Sequence, residues 1–359
     1  MFAKWGVKPL NPAAGSSPRF IITLTSYGER VEKSVFYAVC SLLSQSEAPE
    51  KIVLYLAHGT EIPRKLEELK RCGLEIRFCD DLKSYKKLVP ALLEFPDDVL
   101  ITADDDIFYP RKWLKALKAA YIENPRAIHC HRAHEIRVYE DGSLRPYSEW
   151  NFMSAGFCCN ESVFPTTGGG VLYPPHSLDG RCTDEKLFLK LAPKADDVWF
   201  WAMANLKGTE CAVIKNGFNA ASEVVPNDQN GLCVSNVNGG GNDRQLKAVV
   251  EAFPELKKVF EKIKSFDSAD YWEGRYAQGG NSGAGSRDKL AAFKAGIINS
   301  FVAERSIKTV MEFGCGDGGQ LLLADYPFYT GFDVSDTALE KCRKLFTAGG
   351  GGGANHNFD

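Results

Sequence analysis

No apolar run in this 359-residue chain approaches the roughly 18–20 residues that a membrane-spanning helix needs, so no helical span is expected. The opening stretch, MFAKWGVKPLNPAAGSS, lacks the apolar core of a signal peptide. No C-x-x-C pair occurs among the 11 cysteines, their number is odd, and Cys158 and Cys159 are adjacent. A disulfide framework is therefore not expected, and the cysteines read as reduced thiols that fill the core. Long basic blocks are missing too, and the net charge is −3, which argues against a nucleic-acid binder that works by phosphate neutralisation. Internal repeats are absent, which sets aside solenoids and propellers. These absences point to a cytoplasmic globular protein, with a place at the inner face of the membrane if its acceptor is lipid-linked.

What is present is a chain longer than one compact core usually holds, so two domains are expected. Residues 19–25 read as a buried strand, 31–45 as a helix and 51–56 as a second strand. A helix over 63–71, a strand over 74–79, a helix over 86–95 and a strand over 98–103 follow. This alternation predicts an α/β fold, a parallel sheet with helices on both faces, whose ligands bind beyond the carboxyl ends of the strands. From about 125 to 240 the strands shorten and Gly, Pro and aromatic residues become frequent, and 246–264 is helical and charged. The divisions expected are a lead-in over 1–18, a first domain over 19–264, a second over 265–346, and a Gly-rich, disordered tail over 347–359 with no packed element.

Three adjacent carboxylates, Asp104, Asp105 and Asp106, end the apolar run Val99-Leu100-Ile101. If the strand continues through them, Asp104 and Asp106 share a face and Asp105 points elsewhere. Two carboxylates with room for water and substrate oxygens suit Mg²⁺ or Mn²⁺. The plainer alternative is a polar turn capping the helix that follows. Asp196 and Asp197 pose the same choice, since they precede the apolar start Val198-Trp199-Phe200-Trp201. The run His129 to His134 offers too few ligands at zinc spacing and reads as a strand beside a pocket.

The ordered set RFIITLTSYGERV, KSVFYAVCSLLSQSEAPEKIVLYL, LKSYKKLVPALLEFPDDVLITADDDIFYP, FPTTGGGVLYPP and APKADDVWFW resembles glycosyltransferases of the GT-A fold, in particular family-2-like enzymes of bacterial polysaccharide loci. The resemblance implies a Rossmann-like domain that takes a nucleotide-diphosphate sugar, with UDP as the commonest nucleotide, and a glycan or lipid-linked glycan acceptor. It implies that Asp104 and Asp106 hold Mn²⁺ or Mg²⁺ and that Asp105 contacts ribose or sugar. Thr25, Tyr27 and Arg30 would line the nucleotide pocket, with Arg30 on phosphate, and at least one of Lys83, Lys86 and Lys87 would reach the diphosphate or base. Gly168, Gly169 and Gly170 would allow close approach to the sugar, and His176 would be a third metal ligand or a phosphate contact. One of Asp196 and Asp197, with Asp197 preferred, would be the general base of an inverting transfer.

Val310 to Gly318, VMEFGCGDG, with Tyr329 to Asp333 and the upstream YWEGRY, resembles the opening of class I S-adenosylmethionine-dependent methyltransferases. That resemblance implies cofactor contacts from Glu312, Gly314, Gly316 and Asp333. The later strands of that family's sheet are not found, so methyl transfer by this unit is not expected. The rival whole-chain readings are a glycan methyltransferase with a glycan-binding first domain, a non-catalytic sugar- or nucleotide-binding module, and a nucleotidyltransferase.

Overall fold

A computed structural model describes residues 7, 9–10, 18–139, 141–151, 162–214, 217, 222–223, 236, 239–264, 268–348 and 356–358. Most of the lead-in and the Cys158-Cys159 pair lie outside them. The chain forms two compact units, 1–264 and 265–359. All eight cysteines among the described residues are free thiols. No helix among the described residues is long and apolar enough to cross a membrane.

The first unit contains β1 (Phe20–Thr25), β2 (Lys51–Ala57), β3 (Leu74–Cys79), β4 (Val99–Thr102), β5 (Ile107–Phe108), β6 (Ile128–Cys130), β7 (Ala133–Glu135), β8 (Val163–Pro165), β9 (Val171–Tyr173), β10 (Cys211–Val213) and β11 (Ser222–Glu223). Seven of these make one mixed sheet in the order β10-β6-β9-β4-β1-β2-β3. Every neighbouring pair is parallel except those of β9, which runs antiparallel to both β4 and β6. The sheet is Rossmann-like and parallel-dominated. Alternate residues of its central strands feed two cores: Ile21, Val53 and Tyr55 join one, while Ile22, Leu24, Ile52 and Leu54 join the other. Both faces are therefore covered, as near-continuous apolar strands require.

The strand order runs outward from β1 to β3 in one direction and starts with β4 in the other. Between β1 and β4 the connections diverge, and a crevice opens at their carboxyl ends. Thr25 and Thr102 end those strands, so the segments after them, 26–30 and 103–106, meet at that crevice. Two expected helices are divided. The helix over 31–45 breaks at Ser34, giving Arg30–Lys33 and Val35–Leu43. The helix over 246–264 splits into Gly241–Ala252 and Lys257–Lys264, because Pro254 has no N–H to continue the ladder.

In the second unit β12 (Thr309–Phe313), β13 (Phe328–Phe332) and β14 (His356–Phe358) form a parallel sheet in that order. The expectation of a tail without packed elements is corrected here: His356–Phe358 adds a strand, and Phe358 is buried against Tyr329 and Phe346, with ring centroids 6.1 and 5.8 Å away. The buried aromatic ring anchors this strand. Phe358→Ala should lower the stability of the second unit by about 2–4 kcal/mol. Urea unfolding that resolves the two units should show the loss in the second transition and leave the first in place.

Candidate active site

The site is built from turns at the carboxyl edge of the first unit's sheet. β4 stops at Thr102, so Asp104, Asp105 and Asp106 lie in a turn and strand alternation does not sort them. Their partners do. Arg30 Nη1 lies 3.0 Å from Asp105 Oδ1 and 2.9 Å from Asp106 Oδ2, and Ser26 Oγ donates to Asp105 Oδ2. Asp104 turns the other way, with Lys87 Nζ 2.6 Å from its Oδ1. The side chains of Asp104 and Asp106 keep 26% and 25% exposure against 6% for Asp105. The first two remain open to a ligand, whereas Asp105 is enclosed by the protein's own donors.

Neither acidic group is a helix cap. The helix Trp113–Glu123 and the helix Asp196–Lys207 start at Lys112 and Ala195, with no side-chain cap bond at either. Asp196 and Asp197 instead face the first group. Lys87 Nζ lies 3.3 Å from Asp196 Oδ2 and donates to Thr167 Oγ1 at 3.1 Å, and the Thr167 amide donates to Asp197 Oδ1 at 3.1 Å. Lys87 sits in the Lys83–Lys87 turn, which Tyr85 fixes by stacking on Phe188 and donating to the Ala192 carbonyl at 2.6 Å.

Charge follows geometry. Burial alone would pull Lys87 down, but Asp104, Asp196 and Asp197 hold it well above the ordinary lysine value. Burial would raise Asp104, yet Lys87 holds it below the usual carboxylate range. Asp105 is raised by burial. Burial and then the charges of Asp104 and Asp105 lift Asp106 to about 6. Burial and then Asp196 lift Asp197 to about 7. Five carboxylates thus share the neighbourhood of Lys87, Arg30 and Arg132. That excess of negative charge, with Asp104 and Asp106 accessible, fits a hard divalent cation. Among the described residues no three His, Cys, Asp or Glu side chains are placed to hold one metal ion together, so the protein would supply two ligands and leave the rest to water or substrate.

The Gly168-Gly169-Gly170 turn packs against the protein itself. A Cβ on Gly169 would stand 2.6 Å from Arg132 Cβ, and one on Gly170, at φ +97°, would stand 2.6 Å from Trp113 Nε1. Trp113 Nε1 also donates to the Gly169 carbonyl at 2.8 Å. The closeness that the glycines permit is therefore to Arg132 and Trp113.

Other expected residues separate. Thr25 Oγ1 is used on the Tyr55 carbonyl at 2.8 Å, while Tyr27 is half exposed with the Arg30 guanidinium 5.5 Å from its ring centroid. Lys83 is exposed at φ +56°, and Lys86 is buried and paired with Asp81; neither meets the aspartate group. His176 requires correction. Its Nε2 lies 3.0 Å from Asp97, before the start of β4 and at the opposite edge of the sheet from Asp104. Because β9 is antiparallel, residues after it run away from the carboxyl edge. His129 and His131 bond the carbonyls of Asn124 and Trp113.

Sequence reasoning missed Arg132, Thr166 and Thr167. The two threonines before the triple glycine were the only signal: Thr166 Oγ1 accepts from Arg132 Nε at 2.7 Å, and Thr167 links Lys87 to Asp197.

The second unit has its own cleft of about 550 Å³, lined by residues that include Trp272, Tyr276, Ser282, Gly314, Asp333 and Val334. Asp333 Oδ2 accepts from the Gly316 amide at 2.8 Å. Glu312 is not among the lining residues; it accepts from the Tyr329 hydroxyl at 2.6 Å.

No family model matches the chain, and no curated protein does. Solved structures with similarity include S. aureus TarS 1–349, at 14% identity over 55% of this chain and 58% of that one, with a TM-score of 0.35. A CMP:2-keto-3-deoxy-manno-octonic acid synthetase complexed with CTP matches at 10% identity over 56% of this chain and 93% of that one, TM-score 0.33. A 4-diphosphocytidyl-2C-methyl-D-erythritol synthase matches at 11% over 60% and 96%, TM-score 0.38. At such TM-scores these likenesses carry no weight beside the strand order.

The glycine turn gives a direct test. Gly170→Ala meets a rigid indole at positive φ and should cost about 2–4 kcal/mol. Gly168→Ala meets the movable end of Arg132 and should cost under about 1 kcal/mol. Equilibrium denaturation of the two variants checks the ranking.

Proposed function

We propose that the first unit is a glycosyltransferase that moves a sugar from a nucleotide-diphosphate donor to a hydroxyl of a polysaccharide or glycolipid acceptor. The observation that carries this reading is the continuous network Asp104–Lys87–Asp196 with Thr167–Asp197, which joins an accessible acidic pair to a buried acid with a raised pKa at the switch point of the sheet. A simple sugar-binding module has no use for both groups.

Asp104 and Asp106 would hold Mn²⁺ or Mg²⁺, which would supply Lewis-acid stabilisation to the departing diphosphate. The chain's own residues do the rest. Arg30 fixes Asp106 in place by its ion pair. Tyr27, half exposed at the end of β1, offers a ring face to the nucleotide. Asp197 accepts the proton of the attacking hydroxyl, since a carboxyl that titrates near 7 is a far better base than an ordinary aspartate. Asp196, beside Lys87, holds the ammonium in place instead. Attack on the face away from the leaving group inverts the anomeric centre.

For the second unit the cleft beside Gly314 and Asp333 favours S-adenosylmethionine as a ligand, with Trp272 and Tyr276 as its aromatic walls. Binding there is a separate matter from methyl transfer.

The test is release of nucleoside diphosphate from a panel of nucleotide sugars, with and without Mn²⁺ or Mg²⁺. Metal-dependent turnover with one donor, reduced at least about 100-fold by Asp104→Ala and by Asp106→Ala, is expected. Turnover that ignores both substitutions would remove the acidic pair from the mechanism.

The raised Asp197 also gives a pH signature. In the folded chain this group keeps its proton up to about pH 7, whereas unfolded it ionises near 3.8. The folded state binds the extra proton between those values, so this group's contribution to stability falls as pH rises through that window. Asp197→Asn should raise the melting temperature at pH 8, leave it nearly unchanged at pH 4, and abolish transfer. In the wild type, kcat/KM should climb with pH and level off above about 7.

A further inference from the structure

Three cations stand at the acidic site, and they differ in one respect. Arg30 is ion-paired with Asp105 and Asp106, and Lys87 with Asp104 and Asp196. Arg132 has no ion pair among the described residues. Among the described residues its Nε alone is used, on Thr166 Oγ1 at 2.7 Å, and neither Nη group meets an acceptor. The side chain is half-buried, so those donors are not simply dissolved in bulk water.

Its stem and Nε are held, and its end borders a glycine. Thr166 orients the guanidinium plane through Nε. Gly169 packs under its stem, with room for nothing larger, since a Cβ there would lie 2.6 Å from Arg132 Cβ. Gly168 sits under its end: a Cβ on that residue would stand 3.2 Å from Arg132 Cζ and 3.4 Å from Asp104 Oδ2. Arg132 and Asp104 therefore flank the same glycine, yet no ion pair closes the space between them. A half-buried guanidinium held beside a carboxylate, but not on it, is arranged for an anion that arrives from outside.

We propose that Arg132 binds the terminal phosphate of the nucleoside diphosphate, offering its free Nη donors to the oxygens that gain charge as the sugar departs. This rests on the transferase reading above and assigns to Arg132 the phosphate contact that the sequence suggests for Arg30, whose guanidinium is turned onto two carboxylates. A diphosphate is favoured over an acceptor phosphate because the end of Arg132 and Asp104, one of the two expected metal carboxylates, flank the same residue, Gly168. No chemical step passes through Arg132; its charge and its planar fork are what matter.

The experiment is calorimetric titration of the full chain with UDP and UMP, and then GDP and GMP, in the presence of Mn²⁺, for the wild type, Arg132→Gln and Arg132→Lys. Arg132→Gln should weaken diphosphate binding about 10- to 100-fold and monophosphate binding by less than about 2-fold. Arg132→Lys keeps the charge without the fork and should fall between. Since lysine preserves the half-buried stem, a parallel ordering of the two variants also guards against simple misfolding. If Arg132→Gln keeps the wild-type ratio of diphosphate to monophosphate affinity, the assignment is overturned while the transferase reading stands. Equal losses for both nucleotides overturn it as well, because Arg132 would then not be reading the terminal phosphate. Unchanged UDP affinity with lost transfer to a phosphate-bearing acceptor would move the anion to the acceptor. A wild-type chain that binds none of the four nucleotides defeats the transferase reading, and this assignment with it.

Discussion

A lysine ammonium removed from water is among the most demanding groups a fold can hold, and Lys87 sets the terms for everything around it. Its burial is tolerable only because Asp104, Asp196 and Thr167 are in reach. Those three come from the turn after β4, the start of the Asp196–Lys207 helix and the loop before β9. One cation therefore ties together segments that are far apart in the chain. The arrangement also sorts the acids: Lys87 holds Asp104 below the usual carboxylate range, while burial and Asp196 lift Asp197, one hydrogen bond further out, to about 7.

That sorting has a structural counterpart in Arg30. It gathers Asp105 and Asp106 and, with Ser26, takes Asp105 out of play. The three consecutive aspartates are not equivalent, and a turn makes them so different. A regular strand would have separated them only by face. The turn separates them by partner, leaving one acid enclosed and two accessible. Adjacent like charges persist here because each has a different neighbour to answer to.

Much of the first unit was legible in the sequence. The apolar runs of β1 to β4 and the helices between them follow from periodicity, because buried parallel strands have little else to vary. Asp104 and Asp106 were found because acidic residues at the end of an apolar run contradict simple packing, and Asp196 and Asp197, which precede one, through the resemblance of the stretch around them. Lys87 was found only as one of three lysines, since nothing in KSYKK says which will be turned inward by the anchoring of Tyr85. Arg132 was not legible at all, and the paired threonines only as the lead into a glycine turn. Their role comes from the crossing of β6 and β9, two strands separated by some 40 residues of sequence, and local patterns carry no information about that encounter. His176 failed for the related reason that a strand's direction cannot be read from its residues: β9 carries it to the far edge.

The reversed direction of β9 has a further consequence. β6 leaves the sheet at the carboxyl edge, and β9 enters from that same edge, so the whole excursion between them, residues 131–170, begins and ends beside the acidic cluster. Its length is uncoupled from the seven-stranded frame, which sees only two fixed anchor points. Insertions, deletions and exchanges inside the excursion can remodel the segment between those anchors while the register of the seven-stranded sheet is kept. The fold thereby separates two kinds of change: the strands and the two ends of the excursion, which carry Arg132 and Thr167, are pinned by the charged network, and the length between them is free to vary.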